Sequence, residues 1–394
     1  MLDVLAAGHL CLDIIPTIIA DSVDSGAFLA PGRITEVGEA VISGGGSVSN
    51  TGLALGKLGA AVRLLGRVGD DHIGELTRRV LGAQDPDIAQ HLRVAAGEPA
   101  SYTIVLSPPG IDRTFLTAPG PNNSFGPEDI PSPLLRQARM LHLGYPPLLS
   151  RLYLDGGETL REILANAHAV GASTSLDLCM PDPSRASGKA DWRAILARAL
   201  PEVDVFAPSA EELLFMLSRS RFDHLCTPQA DGLVLDRLRV DDVVALADTA
   251  LELGAQIVVI KAGHRGLYLR TGSLTDLCGR GRPADLSAWK NREIWAPAFR
   301  VQVVGTTGAG DATVGGFLMA ILRGLAPSRA ANAAAAVGAS NCEAADAVSG
   351  VRSWADTLLR MAGDWERLDA AIDANGWRWC ESEGVWIGPR DAAA

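Results

Sequence analysis

The sequence predicts an α/β protein built around a mostly parallel sheet. From about residue 140 onward, apolar strand-like segments alternate with helix-like segments, as in 141–144, 158–169 and 174–178. Strands separated by helices of this length are typical of βαβ units. The composition agrees, because 394 residues with 47% hydrophobic and 21% charged side chains suit a well-packed globule of one large domain or two. A glycine-rich turn that leads into an apolar helical run at 314–322 adds a candidate ligand-binding element.

Charge and cysteine usage argue against nucleic acid and membranes as partners. The net charge is −11, and no block of Lys and Arg occurs. The six cysteines are scattered without a C-x-x-C pair, which is typical of reduced thiols. The chain enters a strand pattern at Val4, without a secretory signal or an apolar run long enough to span a bilayer. We therefore expect a cytoplasmic protein.

The glycine-rich turn has the properties of an anion-binding site. The two valines at 303–304 predict the end of a buried strand, and a helix follows the turn. A turn at a helix N-terminus offers free backbone N–H groups and the positive end of the helix dipole. We expect phosphate oxygens to reach the amides of Gly308, Ala309 and Gly310, with Asp311 beside the acceptor hydroxyl. The alternative is that Asp311 only caps the helix and the glycines only form a tight turn.

A second glycine-rich segment opens a helix in the N-terminal part of the chain. Gly44, Gly45 and Gly46 precede Asn50, and amides at a helix start can hold a hydroxylated ligand. Asp13 follows the first predicted strand, and the carboxyl ends of strands in α/β sheets line the ligand crevice. The alternatives are a flexible turn before a core helix and a solvated loop aspartate.

Two motifs resemble the signatures of a known family. The string Thr-Thr-Gly-Ala-Gly-Asp at 306–311 resembles the C-terminal signature of the ribokinase-like (PfkB) family of sugar and nucleoside kinases. Residues 44–50 resemble the N-terminal signature of that family, Gly-Gly-x-x-x-Asn. No Walker A pattern occurs, which argues against a P-loop NTPase. The resemblance covers roughly residues 4–351 and implies a three-layer α/β/α ribokinase-like sandwich with a small β lid.

The resemblance also implies site residues for an ATP-dependent phosphotransferase that uses Mg²⁺. Asp311 would be the general base, and the amides of Gly308, Ala309 and Gly310 would stabilise the transferring phosphoryl group. The residues implied to bind the acceptor are Asp13, Gly44, Gly45, Gly46 and Asn50. The residues implied to bind the nucleotide are Ser209, Lys261, Gly263, Gly266, Thr307 and Asn332. The residues implied to serve the metal are Asp177 and Glu212.

The chain departs from the family pattern at three places. Family members often read Asp-x-Asn-x-Arg where this chain has residues 177–181, so only Asp177 carries over. Ser209 replaces the asparagine of Asn-x-x-Glu and leaves Glu212, for which an acidic residue in a first helical turn is the alternative explanation. Gly305 replaces an aspartate that helps to form the ion site in members activated by monovalent cations. We therefore expect little or no activation by K⁺.

The predicted layout is one kinase domain followed by an extension. The domain spans residues 1–361, and the extension, 362–394, holds four of the eight tryptophans. The two pieces of the lid are predicted at about 14–42 and 100–120. Two insertions are predicted at about 218–238 and 271–296. The insertion at 271–296 is positioned to overhang the nucleotide. For the extension, packing onto the body is favoured over a binding role.

Within the lid, thin strands are predicted at 34–37, 101–106 and 112–115. Short strands with exposed edges are usually covered or paired, and many family members pair their lids between subunits. We therefore expect a homodimer.

The expected function is ATP-dependent phosphorylation of a hydroxyl group on a sugar or sugar-like small molecule. A nucleoside kinase or an ADP-dependent kinase of the same fold remains open, because lid and pocket side chains set acceptor choice in no readable pattern. A catalytically silent sugar-binding or regulatory protein is a further alternative. The intact Gly308–Asp311 stretch argues against it.

Overall fold

A computed structural model describes residues 1–19, 31–32, 34–108, 114–226, 233–373 and 375–392. Its strands are β1 Leu2–Gly8, β2 Cys11–Pro16, β3 Ala40–Gly45, β4 Val62–Leu65, β5 Arg67–Gly69, β6 Arg93–Ala95, β7 Tyr102–Leu106, β8 Thr114–Ala118, β9 Ala138–Gly144, β10 Ser173–Asp177, β11 Val205–Phe206, β12 Ile257–Lys261, β13 Leu267–Thr271, β14 Glu293–Ala296, β15 Arg378–Cys380 and β16 Val385–Ile387.

Helices connect and cover these strands. They are α1 Gly46–Lys57, α2 His72–Gln84, α3 Ser132–Gln137, α4 Arg151–Leu154, α5 Glu158–Ala169, α6 Ala186–Lys189, α7 Trp192–Ala199, α8 Ala210–Leu217, α9 Arg219–Leu225, α10 Val234–Arg237, α11 Val240–Glu252, α12 Leu286–Trp289, α13 Ala309–Leu322, α14 Pro327–Asn341 and α15 Trp354–Met361. None of the helices in the described ranges is long and apolar enough to cross a membrane.

In the described part of the chain, ten strands form the central sheet, in the order β15-β16-β14-β13-β12-β11-β10-β9-β1-β4. The strands from β4 to β12 along this order run parallel, and each of the four beyond β12 runs antiparallel to its neighbour. One apolar core lies between the sheet and helices α1, α13 and α14. A second core lies between the opposite face and helices α5, α7, α8 and α11. The predicted three-layer α/β/α sandwich is confirmed.

Strand β1 shows why the sequence forms this arrangement. Val4 and Ala6 belong to one core, whereas Leu5 and Ala7 belong to the other. Because successive side chains of a strand point to opposite faces, a strand buried on both faces needs a continuous apolar run. Gly8, at its end, pairs with the last residue of β9, so the carboxyl ends of the parallel strands form one edge.

A four-stranded lid sheet, in the order β3-β2-β7-β8, stands beside this edge. The strand predicted at 34–37 is wrong, because residues 34–39 have no strand structure and the strand begins at Ala40. The segment that follows, Ala40–Gly45, pairs with β2 along its whole length, so long-range pairing decides the position of this strand. Parts of both predicted lid pieces (20–30, 33 and 109–113) and of the first insertion (227–232) lie outside the described residues.

The segment before the glycine-rich turn also differs from the prediction. Val303 and Val304 are 61% and 60% exposed and belong to a loop rather than to a buried strand. The central sheet has already ended at Ala296, and the chain then runs beside the C-terminal extension, where the Arg300 amide donates to the Glu366 carbonyl at 2.8 Å. Local apolar character therefore did not decide burial at 303–304.

The second insertion does not overhang the nucleotide side, so that expectation is wrong. Arg280 donates to the carbonyl of Ala138 at 2.7 Å and to that of Val170 at 2.5 Å. Ala138 is the first residue of β9, so this contact lies at the amino ends of the parallel strands. The predicted site lies at the opposite edge. An arginine with several planar donors can satisfy carbonyls that have no helix or strand partner.

The extension continues the central sheet. Ile387 and Trp386 of β16 pair with Ile294 and Trp295 of β14, and β15 completes the edge. Val385 and Ile387 are buried in the core on one face. The extension packs onto the body, as predicted.

Candidate active site

The glycine-rich turn leads directly into helix α13 and lies close to Lys261 at the end of β12. Gly308 precedes helix α13 with φ = 69°, a left-handed conformation that favours glycine. A Cβ atom at this position would lie 2.3 Å from the Ala347 carbonyl oxygen, so no side chain fits. A Cβ on Gly310 would lie 3.6 Å from the Lys261 ammonium nitrogen. The first turn of α13 therefore carries Asp311 and faces the ammonium.

Asp311 is buried, and three residues from the N-terminal half of the chain donate hydrogen bonds to its carboxylate. Asn50 Nδ2 donates to Asp311 Oδ2 at 3.0 Å, and Thr51 Oγ1 donates to Oδ1 at 3.2 Å. The Tyr145 hydroxyl lies 3.0 Å from Oδ1 and 2.9 Å from Oδ2. The two sequence signatures therefore meet at this carboxylate. Asn50, expected at the acceptor, is engaged here with Asp311.

Burial raises the pKa of Asp311 above its ordinary value, because the charged form loses its hydration. Hydrogen bonds from Asn50, Tyr145 and Thr51, and the charge of Lys261, act in the opposite direction. A carboxylate with a raised pKa is a stronger base than a solvated one, and it is active only above that pKa.

A lysine and two further carboxylates stand on the other side of the turn. Lys261 Nζ donates to Asp177 Oδ1 at 2.6 Å, at the carboxyl ends of β12 and β10. Burial alone would lower the pKa of Lys261, but Asp177 and Glu212 raise it, so the ammonium stays charged. Burial raises the pKa of Asp177, whose Oδ2 is buried and has no hydrogen-bond partner in the described structure. Such an oxygen suits a cation or a water bound to one.

Glu212 lies near this pair but forms a helix cap. Glu212 Oε2 accepts from the Ser209 amide at 2.8 Å, and Ser209 Oγ accepts from the Glu212 amide at 3.3 Å. This reciprocal pattern is a capping box, and it agrees with the alternative considered from the sequence, an acidic residue in a first helical turn. Burial also raises the pKa of Glu212. The cap fixes the glutamate beside Lys261 and leaves a role with a metal as a prediction.

On the lid side, a glycine gives Asp13 its space. A Cβ on Gly45 would lie 2.1 Å from Asp13 Oδ1. Burial raises the pKa of Asp13 to about 6, and a hydrogen bond from the Cys11 thiol at 3.3 Å opposes that shift. Gly46 has φ = 82°, and a Cβ there would lie 2.5 Å from His9 Nδ1. A Cβ on Gly44 would lie 2.5 Å from a serine hydroxyl of α1.

The remaining nucleotide-side residues are spread around a turn and a helix. Gly266 has φ = 96°, and a Cβ there would lie 2.0 Å from the Ala296 carbonyl oxygen, so packing alone requires this glycine. Gly263 has φ = 50°. The Thr307 carbonyl accepts from Asn341 Nδ2 at 3.0 Å. Their contacts with a nucleotide stay predictions.

Asn332 is fully engaged by the extension. Its Nδ2 donates to the Glu383 carbonyl at 2.7 Å, and its Oδ1 accepts from Arg367 Nη1 at 2.9 Å. The structure therefore pairs both ends of this amide with residues that the sequence had assigned to no site. A contact with the nucleoside stays a prediction.

Sequence reasoning missed Thr51, His9 and Tyr145. The ring of His9 stacks on that of Tyr145, with centroids 6.2 Å apart. Burial lowers the pKa of His9 to about 4, so the imidazole is neutral near pH 7. His9 and Tyr145 directly follow β1 and β9, and residues that follow parallel strands line the ligand edge. That position was the available signal.

The comparison with protein families decides the identity of the fold. The model of the pfkB family of carbohydrate kinases matches residues 3–354. The chain belongs to the pfkB carbohydrate kinase family. Like other members of this family, it is a kinase that phosphorylates a hydroxyl group of a sugar-like molecule.

Curated pfkB relatives span most of the chain. The ATP-dependent ribose-1-phosphate kinase of Halopiger xanaduensis is 28% identical over 89% of this chain and 97% of the relative. The 2-dehydro-3-deoxygluconokinase of Thermoproteus tenax is 26% identical over 75% of this chain and 78% of the relative. The aminoimidazole riboside kinase of Salmonella typhimurium is 27% identical over 71% of this chain and 74% of the relative.

Solved structures share the pfkB fold. The ribokinase of Thermotoga maritima superposes with a TM-score of 0.64 at 20% identity, covering 92% of this chain and all (100%) of that chain. The fructokinase of Xylella fastidiosa, solved with bound ATP, has a TM-score of 0.66 at 18% identity. The match covers 91% of this chain and 98% of that chain.

Proposed function

We propose that this carbohydrate kinase transfers the γ-phosphoryl group of ATP with Asp311 as its general base. The observation that carries the proposal is the position of this buried carboxylate, in the first turn of α13 directly after the glycine-rich turn. Asp311 would accept the proton of the acceptor hydroxyl as that oxygen attacks phosphorus. The amides of Gly308, Ala309 and Gly310 would stabilise the charge on the transferring group.

ATP and Mg²⁺ fit the residues at this edge. Among the described residues, the buried Asp177 Oδ2 has no hydrogen-bond partner, which supports a cation nearby, and Glu212 supplies a second carboxylate. Mg²⁺ bound to ATP would neutralise charge on the phosphate oxygens. Lys261 would contribute a fixed positive charge on the same side. The residues proposed for the rest of the nucleotide are Ser209, Gly263, Gly266, Thr307 and Asn332.

The acceptor would lie between Asp311 and the lid. Asp13, the turn from Gly44 to Gly46, and Asn50 are the proposed contacts, and a buried carboxylate such as Asp13 gains most from hydroxyl donors. A sugar fits this set, and so does the ribose of a nucleoside. Relatives that phosphorylate ribose 1-phosphate, a keto-deoxy sugar acid and a riboside define the acceptors to test first.

We also propose a cytoplasmic homodimer. Five of the six cysteines (Cys11, Cys179, Cys226, Cys278 and Cys380) are free thiols in the structure, which suits a reducing compartment. The lid exposes apolar side chains on its two edge strands, at Val41, Phe115 and Leu116. A second copy of the lid would cover them.

The experiment is a coupled ADP-release screen over D-ribose, D-fructose, ribose 1-phosphate, 2-dehydro-3-deoxygluconate and nucleosides, with wild-type enzyme and Asp311→Asn. Loss of the base should lower kcat by about 10²–10⁴ while ATP binding is retained. Asp87→Asn, at an exposed aspartate, is the matched control and should leave kcat unchanged.

Each alternative has its own outcome in this screen. Turnover of nucleosides alone would favour a nucleoside kinase. No ADP release from ATP, together with AMP release when ADP is supplied as donor, would favour an ADP-dependent kinase. Binding without turnover of any acceptor would favour a silent sugar-binding protein. A loss of less than about fivefold in Asp311→Asn would contradict the role of this residue.

A further inference from the structure

Tyr145 occupies a backbone conformation that residues with a Cβ atom rarely adopt. It follows β9 with φ = 63° and ψ = 48°, in the left-handed region. Its amide donates to the Asp177 carbonyl at 3.2 Å, and its carbonyl accepts from the Leu148 amide at 3.0 Å. Backbone strain of this kind persists only where the surrounding structure holds it, and it concentrates at functional sites.

This backbone directs the phenol onto the carboxylate of Asp311. The hydroxyl is 3.0 Å from Oδ1 and 2.9 Å from Oδ2, so its single hydrogen is shared between both oxygens. Asn50 already donates to Oδ2, and Thr51 donates to Oδ1. A carboxylate has about four lone-pair sites, and these three donors together occupy them. The acceptor hydroxyl can therefore bind Asp311 only at a lone-pair site that the phenol now shares.

We propose that Tyr145 is the positioning residue of Asp311: its hydroxyl orients the carboxylate, favours the ionised form and cedes one of the two oxygens to the acceptor hydroxyl. The proposal rests on the proposed role of Asp311 as base. In the transfer step, the acceptor O–H proton moves to that oxygen, the acceptor oxygen bonds to phosphorus, and the bond from phosphorus to the ADP oxygen breaks. Tyr145 keeps its own proton throughout.

The surroundings of the phenol agree with a donor that stays protonated. Burial raises the pKa of Tyr145 well above its usual value, and the charges of Asp311 and Asp177 raise it further. The ring stacks on neutral His9, with an angle of 28° between the planes. Removing only the hydroxyl, in Tyr145→Phe, would retain this stacking.

Burial is the main cause of the raised pKa of Asp311, and titratable groups from several elements also interact with its carboxylate. Those that interact with it are Lys261 from β12, Asp177 from β10, Cys179 after β10, Glu212 from α8 and Asp13 from β2. The hydrogen bonds from Asn50, Tyr145 and Thr51 and the charge of Lys261 favour its ionised form. Removing the phenolic donor therefore raises the pKa of Asp311, and activity should be lost at a higher pH as the pH falls.

The first test compares wild type, Tyr145→Phe and Tyr153→Phe as a matched control, since Tyr153 lies on α4 against Trp192. The acceptors are D-ribose, D-fructose and 2-dehydro-3-deoxygluconate, and kcat/KM is measured from about pH 5 to pH 9. In Tyr145→Phe we expect the acid limb to rise by about one pH unit and kcat near neutral pH to fall about tenfold, with KM for ATP within about twofold. Tyr153→Phe should leave the acid limb, kcat and the KM for ATP unchanged.

A second test needs no turnover. Melting temperatures are measured for wild type, Tyr145→Phe, Asp311→Asn and the double variant at a pH near 8. If Tyr145 acts through Asp311, the shift caused by Tyr145→Phe should be at least halved in the Asp311→Asn background.

The results separate this inference from the proposed function. A wild-type enzyme inactive on every acceptor contradicts the proposed function, and the melting cycle then still decides the contact between Tyr145 and Asp311. An active wild type whose Tyr145→Phe variant keeps the same acid limb overturns the positioning role. Equal melting shifts in both backgrounds overturn it as well.

Discussion

At the scale of single residues, the site is defined by buried carboxylates whose partners differ. Asp177 has the ammonium of Lys261 at 2.6 Å, whereas Asp311 has neutral donors. Asp13 accepts from the Cys11 thiol, a weak donor. Burial without a strong donor is costly for a carboxylate, and hydroxyl groups of an acceptor would relieve that cost.

Asp13→Ala should therefore weaken binding of the acceptor. Hydrogen bonds to a charged group contribute about 1.5–3 kcal/mol each, so KM for the acceptor should rise about 10- to 100-fold, with KM for ATP within about twofold. Steady-state kinetics with each substrate varied in turn provides the measurement, and Asp87→Ala serves as the exposed control. A rise in KM for ATP with no change for the acceptor would contradict the assignment.

The pH dependence of the same step follows from the raised pKa of Asp13, about 6. Above this pKa the carboxylate is charged and accepts hydrogen bonds, and as the pH falls through about 6 it becomes neutral. The wild-type kcat/KM for the acceptor should fall across that range. In Asp13→Ala this contribution to the acid limb should be absent.

At the scale of elements, the turn from β3 into α1 sets the position of Asp13. Gly45 has φ = −130°, which any residue adopts, so space rather than backbone conformation requires glycine there. The lid strand β2 and the glycine turn are in register, with Cys11 opposite Gly45. The acceptor side therefore depends on a close approach between two elements.

Gly45→Ala tests this approach. The new methyl group would meet Asp13 Oδ1 at 2.1 Å, so the carboxylate must move, and we expect a lower melting temperature together with a rise of about tenfold or more in the acceptor KM. Gly82→Ala in α2 is the matched control, because its methyl group would meet nothing within 4 Å. That control should stabilise the protein by about 0.5–1 kcal/mol. If Gly45→Ala and Gly82→Ala had the same melting temperature and the same acceptor KM, the turn could accommodate a methyl group beside Asp13, and the predicted close approach would be wrong.

At the scale of the whole molecule, the C-terminal extension is part of the fold. Beyond the pairing of β16 with β14, Arg390 Nη2 lies 2.7 Å from Glu293 Oε1, and Arg265 Nε donates to the Ala370 carbonyl at 3.0 Å. The extension therefore connects the edge of the sheet with the turn that carries Gly263 and Gly266.

Two apolar truncations measure this integration. Ile387→Ala removes a side chain that is 4% exposed in β16 and should cost about 2–5 kcal/mol of unfolding free energy. Leu359→Ala removes one that is 74% exposed in α15 and should change it by less than about 0.5 kcal/mol. Denaturant unfolding gives both values. Equal, small effects would indicate an extension that is only loosely attached.

The lid predicts the oligomeric state. Leu116 on β8 is 48% exposed beside other apolar side chains, so we expect a dimer at micromolar concentration by light scattering. Leu116→Asp should yield monomers, because a charge would be buried between the lids. Leu154→Asp, on α4, should leave the dimer intact. A strictly monomeric wild type would refute the proposed pairing.

Much of the fold and the centre of the site were predictable from local patterns. Strand and helix periods, together with glycines before a helix, depend on neighbouring residues, and they correctly predicted α5, the β12–β13 hairpin and the helix that carries Asp311. The two signatures also predicted that Asn50 and Asp311 belong to one site. In the structure, Asn50 Nδ2 lies 3.0 Å from Asp311 Oδ2, although the two residues are 261 positions apart in the sequence.

Only the tertiary structure decided which local features become buried or functional. Val303 and Val304 are exposed in a loop although their side chains are apolar, and Arg280 binds the carbonyls of Ala138 and Val170 near the amino ends of the parallel strands. Tyr145 contacts Asp311 only because β9 ends beside β1 and β10. Propensity and period act over a few residues, whereas burial and hydrogen-bond partners depend on segments far apart in sequence, which no local pattern specifies.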